Sequence, residues 1–354
     1  MPLFSESPPA VTYGAMEPLL RTLSATEADT ELVSLSDKRS LLLGADGYTS
    51  LDGYTLTRWA FDQTCRLACP GLNKVAVSLA ETDYDEALAT YNRVLSLRFD
   101  NKLYAHKMLV DNGRRTVEGV VGADYQWVSN NRLAEMLAGV AREGTKFLTA
   151  VVAGRWLLVR TVHTTPLVAG YDGWHLGWHT SSHDAGGASV KVAALLVRSV
   201  DRCSLLIPPT RGRVRHSGNT FEARLSGAFD RAADGVKTAD QYAVAFAARE
   251  RPLLTKRSHG LERLTALAER LVAAGMPRLL ALRAVRECAL RGRASQPVAQ
   301  SVATMAPSSW ARLTELDLVV ALSRVAKPLS VPLREKVERL AYAMLMGEFS
   351  FSGD

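Results

Sequence analysis

Eleven residues hold the densest chemistry in this chain: Trp174-His175-Leu176-Gly177-Trp178-His179-Thr180-Ser181-Ser182-His183-Asp184. On an extended strand, alternate side chains share a face, so His175, His179 and His183 align. With Asp184 they offer the ligand types that zinc takes. No H-E-x-x-H helix or second ligand set accompanies them, so a metal-dependent hydrolase is kept behind the readings below. A second constellation is Pro209-Thr210-Arg211-Gly212-Arg213-Val214-Arg215-His216. If it is extended, Arg211, Arg213 and Arg215 point to one side at intervals of roughly 7 Å. That approximates the phosphate spacing of an extended nucleic-acid strand, and guanidinium suits phosphate. A solvated loop or pairing with carboxylates explains the same arginines equally well.

Other chemistries leave no fingerprint. No G-x-x-x-x-G-K-[ST] loop is present, and no G-x-G-x-x-G follows a strand. Asp184-Ala185-Gly186-Gly187 lacks the lysine and the following helix of a phosphate cradle and reads as a turn. No G-x-S-x-G elbow occurs. Cys65, Cys69, Cys203 and Cys288 have neither zinc-ribbon nor disulfide-framework spacing, which suits reduced core cysteines.

The elements that must position these residues can be read from periodicity. Residues 1–30 look loosely ordered, and 31–54 read as short strands and turns. Thr55 is placed to cap a helix running to Cys69, stopped by Pro70-Gly71; a second helix spans Tyr84 to Val94, capped by Asp83 or Thr82. Strands are expected over Leu95–Phe99, Thr116–Val121 and Tyr125–Ser129, then a helix from Asn130. Lys146–Val152 and Arg155–His163 form a hairpin around Ala153-Gly154. Trp174–His179, Ser189–Val197 and Leu205–Pro209 complete the strands. From Asn219 the pattern is helical, with Phe221, Leu225, Ala228, Phe229 and Ala232 on one face. Further helices follow at 239–249, 259–274, 277–292, 307–325 and 332–347, and a helix-turn-helix is conceivable around Gly275-Met276-Pro277. The expected class is α+β: a mainly antiparallel sheet core with packed helices, followed by a helical C-terminal region. Three parts are expected: an acidic N-terminal α/β segment (1–92), a basic β-rich core (93–250) and a helical region (251–354).

Charge sharpens this division. The net charge is +7 over 354 residues. Residues 1–92 hold 6 basic and 13 acidic side chains, a balance of −7; residues 93–160 hold 11 and 6, giving +5; residues 191–293 hold 20 and 9, giving +11. A basic balance steers polyanions, although an arginine-rich composition also arises from general compositional bias. No apolar run is long enough for a transmembrane helix and the N-terminus does not read as a signal, so a cytoplasmic protein is expected.

A resemblance follows from short motifs in order. Val117 to Asn130, with Tyr125 and a helix opening at Asn130, resembles a signature of the phage/plasmid-like proteins called domain of unknown function 932. Thr180-Ser181-Ser182-His183-Asp184, Val197 to Cys203 and Arg215-His216-Ser217-Gly218 are similar to later stretches of that family, with Leu205 where an Asn is usual. The resemblance covers about residues 50–230. It implies a mobile-element setting and supplies no catalytic residues. The strand-strand-helix-strand order is similar to phage single-strand annealing proteins, an analogy of fold.

The combined expectation is a non-enzymatic nucleic-acid-binding protein that favours single-stranded DNA and acts, as a homo-oligomer, in recombination or replication of a phage or plasmid. Arg211, Arg213 and Arg215 would hold phosphates, with Lys146, Arg155 and Arg160 widening the groove. Tyr125, Trp127 or Trp156 would stack bases. No cofactor is required. The alternative is a structural or protein-interaction factor.

Overall fold

The computed structural model describes residues 3–5, 9–47, 49–99, 106–140, 144–169, 173–208, 213–215, 220–250, 260–273, 275–291 and 314–348. The class is α+β: two sheets, with helices between and after their strands.

The larger sheet is antiparallel. Its strands are β1 (Val11–Tyr13), β6 (Thr145–Ala153), β7 (Trp156–Pro166), β8 (Trp174–His183), β9 (Ala188–Arg198) and β10 (Cys203–Leu206), paired in that order, with β11 (Arg213–Val214) also paired to β9. The smaller sheet is mixed. It runs β2 (Thr30–Ser34), β4 (His106–Asp111), β5 (Thr116–Gly122) and β3 (Thr55–Leu56), the last parallel to β5. Helices α1 (Met16–Glu27), α2 (Arg58–Ala68), α3 (Leu72–Ala80), α4 (Tyr84–Phe99) and α5 (Asn130–Val140) precede or interrupt the strands. Helices α6 (Phe221–Ala233), α7 (Ala239–Arg249), α8 (Gly260–Ala273), α9 (Arg278–Arg291), α10 (Glu315–Ala326) and α11 (Val331–Leu345) follow.

Alternation along β7, β8 and β9 divides the large sheet into two faces. Leu157, Val159, Val190, Val192, Ala194 and Leu196 enter a core with Leu133 and Leu137 of α5 and with Leu225 and Phe229 of α6. The apolar face expected for α6 is buried throughout. The opposite face carries Trp156, Leu158, Arg160, His179, Ser181, His183 and Lys191, because Trp156↔His183, Leu158↔Ser181, Arg160↔His179 and Ser181↔Lys191 are cross-strand partners. The inferred alignment of His175, His179 and His183 therefore follows from the strand. Gly177 keeps that strand regular, since a Cβ there would lie 2.1 Å from the Thr161 carbonyl oxygen.

Helix α11 covers this polar face. Arg160 is completely buried and meets the carboxylate of Glu338 through both terminal guanidinium nitrogens. Its Nη1 also donates to Ser204 Oγ at 2.8 Å, and its Nε to His179 Nδ1 at 3.3 Å. His179 Nε2 then donates to Glu335 at 3.2 Å, Ser181 donates to the same oxygen, and Lys191 Nζ lies 2.9 Å from the other.

Several expectations need correction. Leu95–Phe99 is not a strand but the last turns of α4, where Ala87, Tyr91 and Leu95 recur every four residues and are fully buried. Tyr125–Ser129 forms no strand. Helix α3 was not anticipated, and α1 carries Pro18 in its first turn, where proline costs no helical hydrogen bond. Thr57, not Thr55, caps α2; Thr55 belongs to β3. The boundaries at 92 and 250 are crossed. β2 and β3 pair with β4 and β5, β1 pairs with β6, and α11 reaches back to Arg160.

The Glu338→Gln variant leaves Arg160 and Arg334 without their shared carboxylate. We expect urea unfolding to show a loss of about 3–5 kcal/mol, the usual cost of an orphaned buried charge. A loss under about 1 kcal/mol, typical of an exposed bridge, would contradict the role assigned to the pair.

Candidate nucleic-acid interface

Where the two sheets meet, a cleft of about 710 Å³ opens. Its walls include Trp59 and Arg58 of α2, Glu27 of α1, Glu118 of β5, Asn130 of α5, Arg155 of the β6–β7 turn, and Trp156 and His183 of the large sheet. The volume lies within the range of ordinary ligand pockets. Two tryptophans meet one imidazole: His183 lies 4.7 Å from the Trp59 ring and 5.0 Å from the Trp156 ring, centroid to centroid. Both tryptophans are half-buried, leaving part of each ring accessible.

The sheets are held at this distance by the turn between β8 and β9. The Ala185 carbonyl accepts from Trp59 Nε1 and from Gln63 Nε2, each at 3.0 Å, and Gln63 Oε1 accepts from the Val120 amide at 2.8 Å. Gly119 permits the approach, because a Cβ there would come within 2.9 Å of the Ala185 backbone.

Behind the cleft, one guanidinium serves several carboxylates. Arg155 Nε is 3.4 Å from Glu118, its Nη1 is 3.7 Å from Asp184, and its Nη2 donates to Thr30 Oγ1 at 3.2 Å. Asp184 is fully buried and also accepts from Trp127 Nε1 and from the Asn130 amide, both at 3.3 Å. Burial pushes the Asp184 carboxyl up to about 7, against the pull of Arg155 and with the help of the Glu27 charge. Burial raises Glu27 as well, opposed by the Asn131 amide that it caps. Arg155 faces Glu118 and Asp184 while Arg114 shares Glu118, and burial outweighs these cations at Asp184 and Glu27. On the covered face the balance reverses. Burial lowers His179 and keeps its ring neutral, while Glu335, despite burial, is held well below the usual carboxylate range by bonds from His179, Lys191 and Ser181.

The nine residues expected to bind nucleic acid separate into groups. Arg213 and Arg215 are exposed on either side of buried Val214, and Arg213–Val214 forms the short strand β11. Arg211 lies outside the described residues. Arg213 pairs across the sheet with Lys191, which places it on the face of Trp156 and His183. Three strand spacings separate the β7 and β11 positions, roughly 14 Å. Trp156 lines the cleft. Lys146 is exposed on the same face but pairs with Val162, six residues along β7 from Trp156 and roughly 20 Å away.

Arg155 and Arg160 do not widen a groove, because their guanidiniums are taken up by Glu118, Asp184 and Glu338 inside the protein. Tyr125 and Trp127 are half-buried off the cleft wall, and their polar atoms bond Asp184. The histidines cannot share an ion. On one strand, positions four apart are separated by roughly 13 Å. Among the described residues no group of three His, Cys, Asp or Glu side chains converges as a metal site requires.

Sequence reasoning missed Trp59, Asn130 and Glu118 as cleft residues. Trp59 reads as one more apolar position of an amphipathic helix, and nothing local shows that it meets a turn 126 residues away. The turn expected at Gly275 is present, with α8 and α9 packed on each other around it. No family model, curated protein or solved structure matches the chain. Among the described residues no helix is long and apolar enough to cross a membrane.

The Asp184 shift has a testable sign. Between its ordinary pKa of 3.8 and about 7, the folded state binds more protons at this site than the unfolded chain does. Its contribution therefore turns against folding as pH rises through that window, and the penalty is complete above it. The Asp184→Asn variant removes this slope. Its urea midpoint relative to the parent is expected to be higher at pH 7.5 than at pH 4.5, whereas parallel pH profiles would contradict the assignment.

Proposed function

We propose that this protein binds nucleic acid, single-stranded DNA foremost, without catalysing a reaction. The observation that carries the reading is the placement of exposed Arg213, with exposed Arg215 two residues on, on the same sheet face as half-buried Trp156, which lines the cleft together with Trp59 of α2. A basic edge holds backbone phosphates while aromatic faces stack unpaired bases, a combination that tolerates any sequence. The strand would cross the end of the large sheet, phosphates at β11 and bases at Trp156 and Trp59. The +11 balance of residues 191–293 supports it by long-range attraction.

The resemblance to the phage/plasmid-like family supports a mobile-element setting, and the fold analogy to single-strand annealing proteins supports recombination or replication; we propose a homo-oligomer acting in the cytoplasm. Strand annealing of that kind needs no cofactor.

A second reading, a protein-interaction factor, is favoured by α9. Its Leu279 is 82% exposed and Leu282 48%, an apolar pair that a partner would cover.

Fluorescence anisotropy with a labelled single-stranded oligonucleotide separates the two. We expect salt-sensitive binding that exceeds duplex binding. The Arg213→Ala, Arg215→Ala double variant should lower the salt slope by about 1.4, two phosphate contacts on a single strand. Trp156→Ala should cost about 1–3 kcal/mol, one stacked base. Equal affinity for duplex, or affinity untouched by the double variant, would remove the interface assigned here.

A further inference from the structure

The cleft and the basic edge differ in charge, and the difference says which part of a nucleotide each can take. Around the cleft, Glu27, Asp62 and Glu118 oppose Arg58, Arg114 and Arg155. Two of those arginines are engaged within the protein: Arg114 with Asp111 and Glu118, Arg155 with Glu118 and Asp184. A phosphate entering here would meet as many carboxylates as arginines, so the cleft has no net positive charge to hold it.

Hydrogen-bond capacity points the same way. The Asn130 side chain lines the cleft and is almost fully buried; its Nδ2 donates to the Arg155 carbonyl at 3.2 Å, while its Oδ1 has no partner. Glu27 is half-buried on the same wall, accepts from the Asn131 amide through Oε2 and is held as well by the Ser129 side chain and the Asn130 amide. The cleft thus offers acceptors on a lining that also carries Trp59 and Trp156, the two rings that contact His183. A complementary ligand is planar, uncharged and rich in N–H groups. Among the four DNA bases, guanine alone presents two adjacent donors, its ring N–H and exocyclic amino group, on one edge. That edge suits a carboxylate, with two parallel bonds. Adenine and cytosine place an acceptor beside their amino group, and thymine flanks its one ring donor with carbonyls.

We infer that the cleft is a base pocket that takes a single unstacked guanine from a bound strand, its ring against Trp59 and Trp156 and its donor edge toward Glu27 and Asn130. This rests on the strand-binding reading above and adds a preference to it. The phosphates stay outside, on the Arg213 and Arg215 side, so the pocket selects one base while the rest of the strand is held without regard to sequence.

The test uses the full chain and short oligothymidylates in which one central position is dG, dA, dC or dT, with free guanosine as a separate probe of tryptophan fluorescence. The expected result is about tenfold tighter binding of the dG oligomer, the scale of a bidentate base contact, and quenching by guanosine but not by thymidine. Glu27→Gln, which keeps an acceptor for the Asn131 amide, should bring the dG-to-dT affinity ratio close to one, and Trp156→Ala should abolish the guanosine quenching. Equal affinity for all four oligomers would overturn the inference and leave strand binding standing. Guanosine quenching with no oligomer binding would keep the pocket and overturn the strand reading. The absence of both would overturn both.

Discussion

Arg160 has no access to water, and the whole arrangement of the sheet face around it depends on Glu338 meeting it. Taking a guanidinium and a carboxylate out of water costs several kcal/mol per ion, offset here by two-pronged geometry and further bonds to Ser204 and His179. The pair is therefore a poor source of net stability and a strong constraint on geometry. Helix α11 has one seating in which Glu338 reaches Arg160 while Glu335, one turn earlier, reaches His179, Ser181 and Lys191. An apolar interface would tolerate sliding. This one does not, because any shift leaves buried charges unmatched.

That seating decides what remains accessible. Glu335 and Glu338 occupy the middle of the polar face, and its solvent-facing parts include the tryptophan-lined cleft beside the β8–β9 turn, the β11 edge with Arg213, and Lys146. The junction of the sheets is built on a different balance. Arg155 faces both Glu118 and Asp184, burial raises the Asp184 carboxyl to about 7, and the Ala185 carbonyl is shared by Trp59 and Gln63. The middle of the face is thus a rigid clamp of matched charges, and the junction is a joint where burial outweighs the cations at Asp184.

Local patterns were legible in the sequence. Alternation gave β7, β8 and β9 and the shared face of the histidines; four-residue recurrence gave α6, α7 and α11; and of the stretch read as extended from its alternating types, Arg213–Val214 is a strand. Long-range pairing was not. Arg155 and Arg160 look like surface cations on a strand because the acids that bury them lie elsewhere: Glu118 on another sheet and Glu338 on the last helix, 178 residues from Arg160. His183 suggests a metal ligand by type, yet its neighbours in space are two tryptophans. Trp59 carries no mark of the cleft, since an amphipathic helix shows which face is apolar but not what it will meet.

The most direct test of the account is photo-crosslinking of the protein to a single-stranded oligonucleotide containing 5-bromodeoxyuridine, with the attached residues identified by mass spectrometry. The account predicts crosslinks at Trp156 and Trp59, lost when excess unlabelled single strand competes and retained when duplex does. Crosslinks confined to α9, or none at all at protein concentrations that saturate the strand, would contradict it.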